Sequence, residues 1–94
     1  MEMPAINECQ VSNCAYNTSG ACHALAITVG NSTHPVCETF DSRKGTGGDP
    51  STTGQVGACH MSECRHNVQL ECQAPGIAVG YVSNQADCLT YAPA

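Results

Sequence analysis

Residues 9–22 read Cys9-Gln-Val-Ser-Asn-Cys14-Ala-Tyr-Asn-Thr-Ser-Gly-Ala-Cys22, and fifty positions on residues 59–72 read Cys59-His-Met-Ser-Glu-Cys64-Arg-His-Asn-Val-Gln-Leu-Glu-Cys72. Each stretch is completed by one more cysteine, Cys37 or Cys88. The spacings are therefore C-x4-C-x7-C-x14-C and C-x4-C-x7-C-x15-C. All eight cysteines of the 94-residue chain fall into these two sets. A fixed period of this kind marks a tandem repeat, and it is read before any local pattern.

The register extends past the sulfurs. Ser12 aligns with Ser62, Asn17 with Asn67 and Ala24 with Ala74, while Ile27, Val29 and Gly30 align with Ile77, Val79 and Gly80. Beyond the last cysteine, Thr39-Phe40 matches Thr90-Tyr91. The chain divides into a first four-cysteine module (1–40), a Gly/Ser/Thr-rich linker (41–57) and a second module (58–94). The linker holds five glycines and almost nothing to bury, so it reads as a flexible or irregular connector. It allows the modules either to tumble independently or to fold back on one another.

A module this short cannot supply its own core. Folds below about 40 residues usually need a metal, disulfides or a partner. Burying a Val or Ile yields about 1.5–3 kcal/mol, against about 1.5 kcal/mol of ordering cost for every residue. The chain has no Trp and one Phe, so the cysteines must close the gap. The expected fold class is small, metal-stabilised or disulfide-stabilised, and β-rich or irregular. Two tandem four-cysteine modules would each carry a short β-hairpin and a cysteine loop.

Local signals fit that class. Cys9 and Cys14 are five apart, off the three-or-four spacing of one helical face. Asn17-Thr-Ser-Gly20 is a turn signal, with Gly20 free to take positive φ. Leu70 replaces that glycine in the second copy, so a different turn type is expected there. Ile27 and Val29 share one strand face by their period of two. Ile77 and Val79 repeat the pattern, with Pro75-Gly76 expected to shorten the strand. The aromatic residue after the last cysteine is expected to pack with Ile and Val against the sulfurs.

Charge excludes one class of partner. Eight acidic residues face only Arg43, Lys44 and Arg65, a net charge of −5. Binding one divalent ion through four thiolates adds two negative charges per site, taking the chain to about −9. Nucleic-acid binders cluster Lys and Arg to displace phosphate counterions, so no nucleic acid is expected. No apolar stretch approaches transmembrane length, and no membrane partner is expected. Residues 1–8 carry two glutamates and no apolar run, unlike a secretory signal. A cytoplasmic location follows as the expectation, and there structural disulfides are rare.

Four cysteines form one complete tetrahedral set for zinc. The expected ligands are Cys9, Cys14, Cys22 and Cys37 for one ion and Cys59, Cys64, Cys72 and Cys88 for the other. That makes two zinc ions per chain. The histidines do not recur: His23 aligns with Gln73, His60 with Gln10 and His66 with Tyr16, while His34 lies in the variable gap. They read as solvent-exposed polar residues, with His23 and His60 also placed to act as outer donors. A disulfide framework remains open, with three connectivities within each repeat. An iron–sulfur cluster fits less well, for lack of a C-x2-C step. No nucleophile–base pair, phosphate loop or catalytic carboxylate pair appears, so no enzymatic activity is expected.

Taken together, Cys-x-Val-Ser-Asn-Cys-x-Tyr-Asn-x-x-Gly-x-Cys, the Ile-x-Val strand and Cys-x-Thr-Phe resemble a small bacterial four-cysteine domain, domain of unknown function fifteen-forty. The second copy looks like a divergent member, and the pair is similar to two-copy actinobacterial chains. The resemblance implies bacterial origin and metal binding through the four cysteines, and no activity. The expected role is a binding or adaptor scaffold with a protein partner. One alternative is a disulfide-stapled subunit of a cell-surface, spore or extracellular assembly. Another is a labile metal store or thiol redox sensor.

Overall fold

The structure, a computed structural model, describes residues 3–31 and 33–94. The first two residues of the first module and Ser32 in its variable gap lie outside the described residues. Among the described residues nine short strands carry the fold: β1 (Ala5–Cys9), β2 (Asn17–Thr18), β3 (Ala21–Cys22), β4 (Ile27–Val29), β5 (Val56–Cys59), β6 (Asn67–Val68), β7 (Glu71–Cys72), β8 (Gly76–Val82) and β9 (Gln85–Cys88). Among the described residues there is no helix, and so none long and apolar enough to cross a membrane. The β-rich, irregular class expected from the sequence is the one observed.

The modules pair by exchanging strands. β1, which leads into the first cysteine set, runs parallel to β8 of the second repeat. Reciprocally, β5 leads into the second set and runs parallel to β4 of the first repeat. Both ladders carry a bulge at the same place, between Ile6 and Glu8 in one and between Ile27 and Thr28 in the other. The backbone bonds are reciprocal too. Ile6 N–H donates to Gly54 O (2.8 Å) and Val56 N–H to Pro4 O (3.0 Å). Cys37 N–H donates to Ala86 O (2.7 Å) and Cys88 N–H to Pro35 O (2.8 Å). The chain is a pseudo-two-fold pair, closed at Ala5–Gln55 and at Val36–Asp87.

One shared core follows. Ile6, Val11, Ile27 and Val29 are buried, as are their counterparts Val56, Met61, Ile77 and Val79. All eight belong to one cluster with the buried cysteines. Ile27 and Val29 lie inward and Thr28 between them is half-buried, as the period of two predicts. Val56 is only 2% exposed although it lies in the stretch read as linker with almost nothing to bury. Its burial fills the position that Ile6 takes in the first repeat.

The linker is irregular but held. Gly47 N–H donates to Ala15 O (2.8 Å), Asp49 N–H to His23 O (2.9 Å) and Gly54 N–H to Cys22 O (2.7 Å). Gly48 has φ +81, and a Cβ there would collide with the His23 carbonyl. Only glycine lets the linker lie this close to the backbone of the first repeat.

Three local expectations need correction. The turn after β6 does not differ from the one after β2. Gln69 (φ 52) and Leu70 (φ 67) repeat the positive angles of Ser19 (φ 54) and Gly20 (φ 84), as a type I′ hairpin requires. Asn17 and Asn67 impose it. Each bonds the carbonyl of its repeat's first cysteine through Nδ2 (2.8 Å in both), and each accepts the amide of Gly20 or Leu70 through Oδ1. Second, Pro75 does not shorten β8, which at seven residues is the longest strand. Pro75 precedes the first paired position, so no ladder bond is lost. Third, the aromatic after the last cysteine packs on the core in the second repeat, as Tyr91, but not in the first, where Phe40 is exposed. Tyr16 and Tyr91 are the aromatics packed on the core.

Candidate functional site

Each cysteine set is assembled from a strand end, a turn, a hairpin and a returning segment, which is a strand at Cys88 and an isolated bridge at Cys37. Cys9 and Cys59 end β1 and β5. Cys14 and Cys64 follow tight turns in which their amides bond Val11 O (3.2 Å) and Met61 O (3.0 Å). Cys22 and Cys72 end the hairpin strands β3 and β7. Cys37 and Cys88 lie opposite Val29 and Val79. The recurrent threonine secures that last leg. Thr39 Oγ1 accepts the Thr28 amide (3.2 Å), and Thr90 Oγ1 accepts the Ala78 amide (3.1 Å).

Cys9, Cys14, Cys22 and Cys37 line one cavity of about 20 Å³. Cys59, Cys64, Cys72 and Cys88 line another of about 20 Å³. That is room for a single water-sized guest. The cavity walls are otherwise mostly apolar: Ile6, Ile27 and Val79 around the first, Val29, Val56 and Ile77 around the second. All eight cysteines are free thiols. As they stand, no three His, Cys, Asp or Glu side chains among the described residues are drawn tightly enough to enclose an ion. What the topology does is line one cavity with each set.

Burial pushes the Cys37 thiol up to about 11, and backbone donation from Thr39 draws it partly back. Cys88 is likewise pushed up to about 11 by burial, against donation from Thr90 and Tyr91. Cys22 and Cys72 are raised for the same reason, countered by the amides of Ala24 and Ala74, with further upward pressure from neighbouring thiols. The amides aimed at sulfur favour thiolate, while the apolar surroundings and crowded sulfurs oppose it. Among the described residues no cationic side chain figures among the groups that shift these four thiols, and Arg43 pairs with Asp41 at 2.8 Å. A soft divalent cation would resolve the conflict, and four thiols around a single-guest cavity are the donor set such an ion takes. The residues fit the metal that the four-cysteine pattern implies.

The histidines divide. His34 and His60 are exposed, as expected. His23 is half-buried, and its Nδ1 pairs with Thr52 O at 2.8 Å, tying down the linker. His66 lines the second cavity, as does Tyr91. In the first cavity Tyr16 occupies the position equivalent to His66. Repeat alignment hides this role, because the two copies place different ring types at one position. The C-terminal segment adds another contact absent from the sequence reading: Ala92 N–H approaches Cys64 Sγ at 3.5 Å.

No curated protein and no solved structure is detectably similar to the chain. A family model does match, over residues 8–40 and again over 58–91, and these segments contain every cysteine, both type I′ hairpins and both Ile-x-Val strands. The chain therefore belongs to the family described as Domain of Unknown Function (DUF1540), of which it carries two tandem copies.

Proposed function

We propose that this chain is a small structural metalloprotein, holding one zinc ion in each four-cysteine set and serving as a scaffold for protein binding. The four cysteines that line each single-guest cavity carry the reading. Backbone amides directed at Cys22, Cys37, Cys72 and Cys88 add to it, because a metal-bound thiolate accepts such donors well. Zinc would supply the positive charge these sulfurs lack and fix several loops at once. The ligands would be Cys9, Cys14, Cys22 and Cys37, and Cys59, Cys64, Cys72 and Cys88.

Raised thiols suit structural ligands and oppose nucleophilic catalysis, which needs a depressed pKa and a base. No enzymatic role is assigned. A cytoplasmic location is part of this reading, since structural disulfides are rare there and thiols stay available to metal. Leu25 (65% exposed) and Tyr81 (50% exposed) offer apolar contacts for a protein partner, and the net charge of −5 disfavours nucleic acid.

Native mass spectrometry with elemental analysis, on protein purified under reducing conditions, tests the reading. Two zinc per chain is the expected result. An intact mass eight hydrogens light with no metal overturns it and assigns the cysteines to four disulfides. Rapid loss of zinc to a weak chelator, with the fold retained, would replace a structural role by metal storage.

A further inference from the structure

Two backbone rungs join the cysteine sets. Across β1, β8 and β9, Cys9 pairs with Val79 and Val79 with Cys88. On the other side, Cys59 pairs with Val29 and Val29 bridges to Cys37. Each rung is thus Cys–Val–Cys, with one cysteine from each set. The first and fourth cysteines of a set are both placed by strands that also place ligands of the other set.

Neighbouring bonds reinforce the rungs. Gln10 N–H donates to Val79 O (2.8 Å) and His60 N–H to Val29 O (2.7 Å), so the residue after each first cysteine is anchored to the opposite repeat. The amides of Cys37 and Cys88 donate across the same boundary. The cavities are shared as well. Val79 of the second repeat walls the first cavity, while Val29 and Pro35 of the first repeat wall the second.

We propose that the two metal sites load as a coupled pair, each ion ordering half of the other ion's ligands. This rests on the metal-binding reading above and adds its regulation. Ion binding to thiol sites of this kind is coupled to folding. Here the folding unit is not one repeat but the pair, because neither repeat has a core of its own. Filling one site holds β1 against β8 and β4 against β5. The second ion then meets two of its four cysteines already in place. By linkage the effect runs equally in both directions. A chain with one ion is a disfavoured intermediate, so the protein is either fully loaded or empty over most metal concentrations.

The test is a zinc titration of the reduced full-length chain, followed by native mass spectrometry. Independent equal sites place half of the molecules in the one-ion state at half loading. Allosteric couplings commonly amount to about 5- to 150-fold, and a tenfold coupling lowers that fraction to about a quarter. A one-ion fraction well below half is the expected result, and a fraction at the statistical half overturns the proposal. Absence of any bound ion overturns the metal reading itself and looks different from random loading. A second measurement uses Cys14→Ser, which removes a ligand of the first site that lies on neither rung. The second site keeps all four of its cysteines, yet its zinc affinity should fall about fivefold or more. Wild-type affinity there would contradict the coupling.

Discussion

Replacing Gly48 by alanine tests whether the linker is part of the fold. Gly48 lies at φ +81, and a Cβ would overlap the His23 carbonyl and stand 3.2 Å from the Ala24 amide. Left-handed backbone costs a non-glycine residue about 1–2 kcal/mol. Relieving the clash must also push the linker off the first repeat and break the 2.9 Å bond from Asp49 N–H to His23 O. A hydrogen bond of that kind contributes about 0.5–1.5 kcal/mol net. The expected loss is therefore about 2–3 kcal/mol. Gly45 provides the control, because it also has positive φ but has open space where its Cβ would go. Gly45→Ala bears the conformational cost alone, about 1–2 kcal/mol. The assay is urea unfolding of the zinc-loaded reduced protein at one fixed metal concentration, since bound metal shifts the midpoint. Equal effects at the two glycines, or a loss below about 0.5 kcal/mol at Gly48, would refute a docked linker.

Other predictions concern the turns and the thiols. Leu70→Asn should stabilise the protein by about 0.5–1 kcal/mol, because asparagine tolerates the left-handed conformation that leucine occupies at a strained φ of 67. An unchanged or lowered urea midpoint would count against the type I′ turn. Asn67→Ala removes both the bond to Cys59 O and the acceptor for the Leu70 amide. About 1–3 kcal/mol should be lost, with Asn17→Ala matching it in the other repeat. Cys37 and Cys88, raised to about 11 from an ordinary 9.0, hold their protons more tightly folded than unfolded. In the reduced, metal-free chain this contribution is fully present below about pH 9 and is lost as pH rises from 9 through 11. Zinc must displace those protons, so its affinity should climb with pH throughout that window. Calorimetry of zinc binding in buffers of different ionisation heat would show the release, and binding without proton release would contradict protonated thiols.

The site was more legible than the fold that builds it. Eight cysteines at a repeated spacing announce two sets of four, and each set lines one cavity. Ile27 and Val29 announced their buried face because period two is a local property. The strand exchange was hidden for the opposite reason. Parallel pairing of β1 with β8 joins residues about seventy positions apart, and no local pattern reports which Ile-x-Val strand a leading strand will meet. Ile6 and Val56 precede the cysteines and differ from one another, so the alignment of identities passed over them. Leu70 shows a tertiary constraint overriding propensity. Two bonds from Asn67 hold a conformation that leucine disfavours. Asp87 is harder to explain. It is buried across from Val36 with Oδ1 unpartnered among the described residues, and nothing in the structure accounts for an acid there.

Zinc K-edge absorption spectroscopy on protein purified under reducing conditions tests the central claim most directly. With two zinc per chain, the first shell should contain sulfur alone, four per ion at about 2.3 Å. Nitrogen or oxygen in that shell would contradict two all-cysteine sites, as would a single zinc shared by the whole chain.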